Sequence, residues 1–250
     1  MGSNEGAGVV GRYRWVVCGL LFLATTINYI DRQILALVKE FLDQELGWTN
    51  EQFGMVNSAF QGAYAVGLLA FGWFVDRFGT KIGYAVSLVL WSLSAIGHAA
   101  VGSVRGFFAA RIALGASEGG NFPSAIKAVA LWFPRRERAF ATALFNSGTN
   151  VGAIVAPALV PAIALAFGWR AAFVFAGLVG FLWLFLWIPF YEVPEKRKGL
   201  DPAELAHIRS DADEGGSGGT PMGWGAALKL RATWAFIVAK FMTDPVWWFF

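Results

Sequence analysis

Asp31 and Arg32 stand side by side inside a run, Trp15 to Val38, that is otherwise almost wholly apolar. A charge in the middle of a membrane-spanning helix costs roughly 2.5–3.5 kcal/mol even on the lenient insertion scale. Such residues face a bundle interior or an aqueous cavity and mark a substrate or ion path. Helix neighbours point about 100° apart, so these two charges do not face each other, and each needs its own partner or its own water. A second acid, Glu118, lies roughly twelve residues into another apolar run, about 18 Å along a helix and so near the bilayer midplane. A carboxyl group in low dielectric can bind and release a proton near neutral pH. Two membrane acids flanking one Arg therefore suggest proton-coupled handling of an anion. The plainer alternative is a set of inter-helix salt bridges that merely fix packing, with Glu118 paired to Arg111 or Lys127.

Three other chemistries are excluded or reduced. Gly115-Ala116-Ser117-Glu118-Gly119 matches the G-x-S-x-G pattern of a hydrolase nucleophile elbow. That elbow needs a preceding strand and a His to activate the Ser, and here the pattern sits in an apolar helix with no His nearby in sequence. Cys18 is the only cysteine, which excludes an intramolecular disulfide and a thiolate metal site. Of the two histidines, His98 lies in an apolar span and reads as a packed helix residue, while His207 lies in a polar loop.

The elements that must position these groups are membrane helices. Of the 250 residues, 56% are hydrophobic and only 15% charged, too little polar surface for a soluble domain of this length; the mean hydropathy is +0.52. Apolar runs of roughly twenty residues recur, each long enough to cross a bilayer core of about 30 Å. Six complete spans are expected at about 15–38, 52–75, 82–100, 106–133, 139–167 and 170–190, with the start of a seventh from 232. The first run is too long for a cleavable signal peptide and lacks a small-residue cleavage site.

With the N-terminus inside, thirteen Lys and Arg residues fall on the cytoplasmic side, against three (Lys39, Arg105 and Arg170) outside. That imbalance is a strong positive-inside signal and sets the N-terminus in the cytoplasm. The net charge of +3 is thus sorted by side of the membrane rather than gathered into a nucleic-acid footprint. Four regions follow: a cytoplasmic segment 1–14, a six-helix bundle 15–190, a cytoplasmic loop 191–231 and the seventh span 232–250. Within the loop, Asp201-Pro202 reads as the cap and first turn of a short amphipathic helix, followed by a flexible Gly-rich linker. The sequence stops inside the seventh span, so a fragment of a longer two-bundle protein is expected.

Between spans two and three runs GWFVDRFGTKIG. Asp76, Arg77, Gly79 and Lys81 in this turn can cap the next helix and offer charges to neighbouring loops, and Gly72 is expected to let two helices touch. Gly148 and Gly152, four apart ahead of Pro157 and Pro161, form another close-packing face. Lys240 and Asp244 can pair along one face of span seven.

These pieces together resemble the major facilitator superfamily. GWFVDRFGTK is similar to that family's loop between helices two and three, RIALGASEGG to its fourth-helix motif and GTNVGAIVAP to its fifth; Thr80 stands where the loop usually carries Arg. NYIDR, RIALGASEGGNFP, LWFPRRERA and TDPVWW resemble more narrowly the anion:cation symporter branch, and within it the hexuronate transporters. The resemblance implies an all-helical membrane fold and a non-enzymatic role, namely proton-coupled uptake of a small organic anion by alternating access. It implies that Arg32 clamps a substrate carboxylate, that Asp31 and Glu118 carry protons, and that Tyr29 and Tyr64 line the site. At Thr149 related sugar-acid transporters can carry Gln. Gly72, Asp76, Arg77, Gly79, Lys81 and Arg111 belong to the motion rather than to the substrate. The coupling ion is expected to be a proton, with no other cofactor. The expected setting is the bacterial inner membrane, where the full-length protein is a monomer completed by a second bundle. Two alternatives stay open: a same-fold symporter of another carboxylate or an organophosphate, and a non-transporting truncated membrane module.

Overall fold

A computed structural model of the chain describes residues 11–211 and 224–249, the side chains of 224 and 244–249 excepted. The chain forms two compact units that divide between Ser210 and Asp211. No strand occurs among the described residues. The first unit contains α1 (Tyr13–Leu37), α2 (Lys39–Leu46), α3 (Asn50–Phe78), α4 (Thr80–Ala99), α5 (Val104–Glu118), α6 (Asn121–Trp132), α7 (Arg135–Asn146), α8 (Gly148–Phe167), α9 (Trp169–Phe190) and the short α10 (Pro202–Ile208).

Five of these stretches are long and apolar enough to cross a membrane: α1, α3, α4, the run Arg135–Phe167 and α9. The fourth expected span is two helices in series, α5 and α6, separated at Gly119-Gly120. There the Gly120 N–H turns back to the carbonyl of Ser117, and Ser87 Oγ donates to that same carbonyl at 2.7 Å. Tyr84 closes the break from α4 by donating its hydroxyl to the Asn121 side chain. The fifth span likewise starts earlier than expected, at Arg135, and is interrupted at Ser147. The outer connection after α1 is helical rather than loop-like. Its helix α2 is held by Asp43, which accepts from Lys39 at 2.6 Å and from Trp48 Nε1 at 2.6 Å. Thr49 and Gln52 then form a reciprocal capping box that opens α3.

Lipid offers no hydrophobic drive to bring helices together, so small residues decide where backbones meet. The most extensive pairings are α3 with α5, α4 with α9 and α1 with α8. A Cβ on Gly119 would stand 2.5 Å from the backbone of Gly67, and one on Gly115 2.4 Å from the Phe60 carbonyl. Gly148 and Gly152 meet α1 as expected, at Phe22 and at Tyr29 and Thr26. Gly72 corrects the expectation made for it. A Cβ there would meet nothing within 4 Å, so the close approach of α3 belongs to Gly67, one turn and more nearer the middle of the span.

Residues 191–210 belong to the first compact unit rather than to a free connection. Asp201 caps α10 through Ala203, and Glu204, almost wholly buried, accepts from the backbone N–H groups of Tyr13 (3.0 Å) and Arg14 (2.9 Å) at the start of α1. Arg14 also pairs with Glu137 on α7 at 2.9 Å, and His207 meets the other oxygen of Glu137 at 2.7 Å. Described by itself, the second unit has α11 (Trp224–Ala227) and α12 (Arg231–Phe249), with Thr233 and Trp234 donating back to the carbonyls of Ala227 and Leu228. Most of the expected Gly-rich linker and the Asp244 half of the expected Lys240–Asp244 pair lie outside the described residues.

Candidate functional site

Helix α1 presents Asp31 and Arg32 in different directions, and each finds its own partner. Asp31 Oδ2 accepts from Trp91 Nε1 of α4 at 2.6 Å. Arg32 Nε donates to Glu118 Oε2 at the end of α5 at 2.8 Å. The pair tested as an alternative for Glu118, Lys127, is engaged elsewhere: its ammonium donates to Asp76 at 2.6 Å and to the Val75 carbonyl at 3.0 Å. Asp31, Glu118 and Arg111 are 1%, 0% and 2% exposed, so all three charges are taken from solvent.

Aromatic rings wall the Arg32 guanidinium. Its central carbon lies 4.1 Å from the Tyr64 ring, 5.4 Å from Phe60 and 5.6 Å from Tyr29. Cations over aromatic faces gain about 0.5–2 kcal/mol, more when desolvated. Phe60 serves Arg111 as well, at 5.3 Å, and so stands beside both guanidinium groups. Arg111, grouped above with the moving parts, therefore lies in the charged cluster itself. Its Nε and one terminal nitrogen and the second oxygen of Asp31 are buried without a protein hydrogen-bond partner, while Asn28 of α1 lies against Glu118. The cluster is two acids and two guanidinium groups, internally neutral and rich in unspent hydrogen-bonding capacity.

Not every expected residue joins it. Thr149 is half-buried on the first turn of α8 beside Gly148, with no hydrogen bond to Arg32 among the described residues. Lys81 pairs with Glu192 at 2.9 Å, Asp76 with Lys127, and Arg77 is exposed, while Gly79 takes φ 86° between α3 and α4, a conformation that favours glycine. These groups tie loop ends together and stand apart from the buried charges. Ser117 donates into its own helix, at the carbonyls of Ala113 and Leu114, as a helix serine with no role as a nucleophile. Sequence reasoning missed Trp91 and Phe60. The available signals were a mid-span Trp, whose N–H needs an acceptor in an apolar setting, and the i, i+4 spacing of Phe60 and Tyr64.

The first unit thus gathers ionisable groups inside an apolar helical bundle, a placement that marks a candidate functional site. Residues 21–250 match the Major Facilitator Superfamily, and the chain belongs to that family. It is 34% identical over 236 residues to the hexuronate transporter of Escherichia coli K12, covering 94% of this chain and 55% of that protein. It is 31% identical to the galacturonate transporter of Dickeya chrysanthemi over 94% of this chain and 68% of that one. To the probable galactarate/D-glucarate transporter of Bacillus subtilis it is 36% identical, over 81% and 46% of the two chains. Among solved structures, the proton:xylose symporter XylE superposes with a TM-score of 0.67 at 18% identity, over 79% of this chain and 49% of that one. That likeness shows the fold alone. The chain spans about half the length of the relatives it matches first, 55%. It is thus a multi-pass membrane protein corresponding to the N-terminal half of the fold, and its relatives are transporters, not enzymes.

Proposed function

We propose that the chain supplies the N-terminal half of a proton-coupled symporter of small organic anions, with hexuronates such as glucuronate and galacturonate as the leading substrates. The observation that carries this reading is the buried Arg32–Glu118 pair in its cage of Tyr29, Phe60 and Tyr64. A substrate carboxylate offers the Arg32 fork what Glu118 now offers it, and the two compete. The charge balance then implies coupling. Two acids and two guanidinium groups sum to zero, and a monoanion entering this low dielectric adds an uncompensated charge that costs several kcal/mol. A proton on Glu118 or Asp31 cancels it, and a proton on Glu118 also releases Arg32 to the substrate. Tyr29 and Tyr64 stand with their rings beside the clamp, and Thr149 is assigned to the substrate from the family resemblance alone. Binding lies between the two bundles, and rocking of one on the other alternates access. Arg111 and the Gly72–Lys81 turn serve that motion. The positive-inside count supports a cytoplasmic N-terminus, and the family resemblance supports a monomeric full-length protein in the bacterial inner membrane.

The test is uptake of labelled glucuronate and galacturonate into proteoliposomes bearing the complete transporter, with and without an inward proton gradient. Accumulation above equilibrium should require the gradient, and Glu118→Gln should abolish that accumulation while leaving substrate exchange intact. Unchanged uphill accumulation by the Glu118→Gln protein would remove Glu118 from the coupling. A 33% identical relative is a probable sulfoacetate transporter of Cupriavidus necator. Uptake of sulfoacetate in place of either uronate would therefore move the substrate to that smaller acid.

A further inference from the structure

His98 on α4 is wholly buried, and no role above uses it. Its Nδ1 lies 2.7 Å from the Ser94 carbonyl, one turn back along the helix. A carbonyl only accepts, so Nδ1 carries the proton and the free lone pair is on Nε2. The ring cannot swing to satisfy that lone pair elsewhere. It is stacked on Phe173 of α9 at 4.9 Å and 10°, and set edgewise against Phe107 of α5 at 5.9 Å. Nε2 is buried and has no protein partner.

The complementary group is one turn along α5. Arg111 follows Phe107 by four residues on the same face, and helical side chains lean toward the N-terminus of their helix, which carries the guanidinium back toward Phe107 and His98. Its Nε and one terminal nitrogen are buried donors without acceptors. Phe107 stands edge-on to His98, while Arg111, one turn further on, reaches the face of Phe60. Helix α9 brings only Phe173 to the ring, its one charged residue, Arg170, being held at the outer surface by Glu45. The charged residues of α3 lie at its two ends, Glu51 at one and Asp76 with Arg77 at the other. The charged groups facing this part of the core are thus Arg111 and Glu118 from α5, and Asp31 and Arg32 from α1.

We propose that His98 is a positioning residue for Arg111: its fixed Nε2 lone pair accepts from one buried water that accepts in turn from the guanidinium, and so divides Arg111 between His98 and the two acids. The inference rests on the proton-coupled reading of the same cluster. A backbone-anchored neutral imidazole gives Arg111 an acceptor whose charge does not change when an acid is protonated.

Two measurements test it. In the whole 250-residue chain only His98 and His207 are histidines, so His207→Gln leaves a single imidazole for 15N labelling. The Nε2 resonance should be that of an unprotonated, hydrogen-bonded nitrogen and should shift when Arg111 is replaced by Gln. This readout needs no transport. In the complete transporter, His98→Phe keeps the stack on Phe173 but deletes the lone pair, whereas His98→Gln restores an acceptor near Nε2. The pH of half-maximal uptake should move acidward by about one unit in the Phe variant, because Arg111 then spends more of its charge on Asp31 and Glu118, and should return in the Gln variant. An Nε2 resonance indifferent to Arg111→Gln overturns the proposal, whatever the protein carries. A resonance that shifts in a protein that takes up no anion upholds the contact and removes the proton-coupled reading instead. Should His98→Phe fail to fold, the resonance alone decides.

Discussion

The guanidinium of Arg32 is held by planes as well as by charge: a carboxylate bonds its Nε, and three rings stand within 5.6 Å of its central carbon. An ammonium group fits neither feature, since it has no fork and is more strongly hydrated. Arg32→Lys should therefore weaken substrate binding by about tenfold to a hundredfold, equivalent to about 1.4–2.8 kcal/mol, although the formal charge is unchanged. Substrate protection against thermal unfolding reads this directly, and equal protection of the two proteins would show that charge alone suffices. At this scale the sequence was most legible. Charges in apolar runs are rare enough to single out Asp31, Arg32 and Glu118 without any fold. What it left open was the pairing, because Arg32 and Glu118 are 86 residues apart and only tertiary packing joins them. The same limit hid Trp91, one of many aromatics until Asp31 lies against its N–H.

Helix pairs impose a different constraint, that of distance between backbones. A methyl group on Gly119 meets the backbone of Gly67 at 2.5 Å, and backbone cannot step aside as a side chain can. Gly119→Ala should lower stability by about 1–3 kcal/mol through overpacking. Gly72→Ala, into open space on α3, should be neutral or stabilising by up to about 1 kcal/mol, since glycine is a poor helix former. Thermal melting in detergent compares the two, and a larger loss at Gly72 would contradict the packing described for α3. Small residues announce close contact but do not say which of several makes it. Hence the sequence indicated Gly148 and Gly152 correctly and Gly72 wrongly. The split of the fourth span was half-visible in the Gly119-Gly120 pair, whereas the capping box at Thr49 and Gln52 was present in the sequence as a T-x-x-Q signature and passed unread.

For the first compact unit as a whole, the two membrane faces are tied differently. At one face, Glu45 accepts from Arg170 at 2.5 Å and from Trp169 Nε1 at 2.7 Å, joining α2 to the start of α9. Those hydrogen bonds, Arg170 first and Trp169 second, hold the Glu45 carboxyl below its ordinary range. A depressed folded value means that the stabilisation is complete above the carboxyl's unfolded range and is lost as pH falls through the folded value. Acidification should thus release α2 while the buried core stays packed. Hydrogen exchange in residues 39–46, taken relative to the intrinsic rate at each pH, should quicken on acidification by less in Glu45→Gln than in the native protein, the remainder belonging to Asp43, whose bonds to Lys39 and Trp48 hold it low in the same helix; equal acceleration in both would assign the whole change to Asp43. At the opposite face, the tie is the segment after α9, with Glu204 seated on the first turn of α1 across 190 residues of sequence. Its capping of α10 by Asp201 was readable locally, but its landing place was not, because nothing in EVPEKRKGLDPAELAHIRS names a distant helix end.

That landing place also fixes an order of events during synthesis. Helix α1 leaves the ribosome with open N–H groups at Tyr13 and Arg14, and the carboxylate that fills them is among the last residues of this unit to be made. At translation rates of about 5–20 residues per second, α1 waits roughly 10–40 s in the bilayer for its cap. A chain released before Glu204 would leave the start of α1 with two unfilled N–H groups at the membrane surface, a local opening for proteolysis.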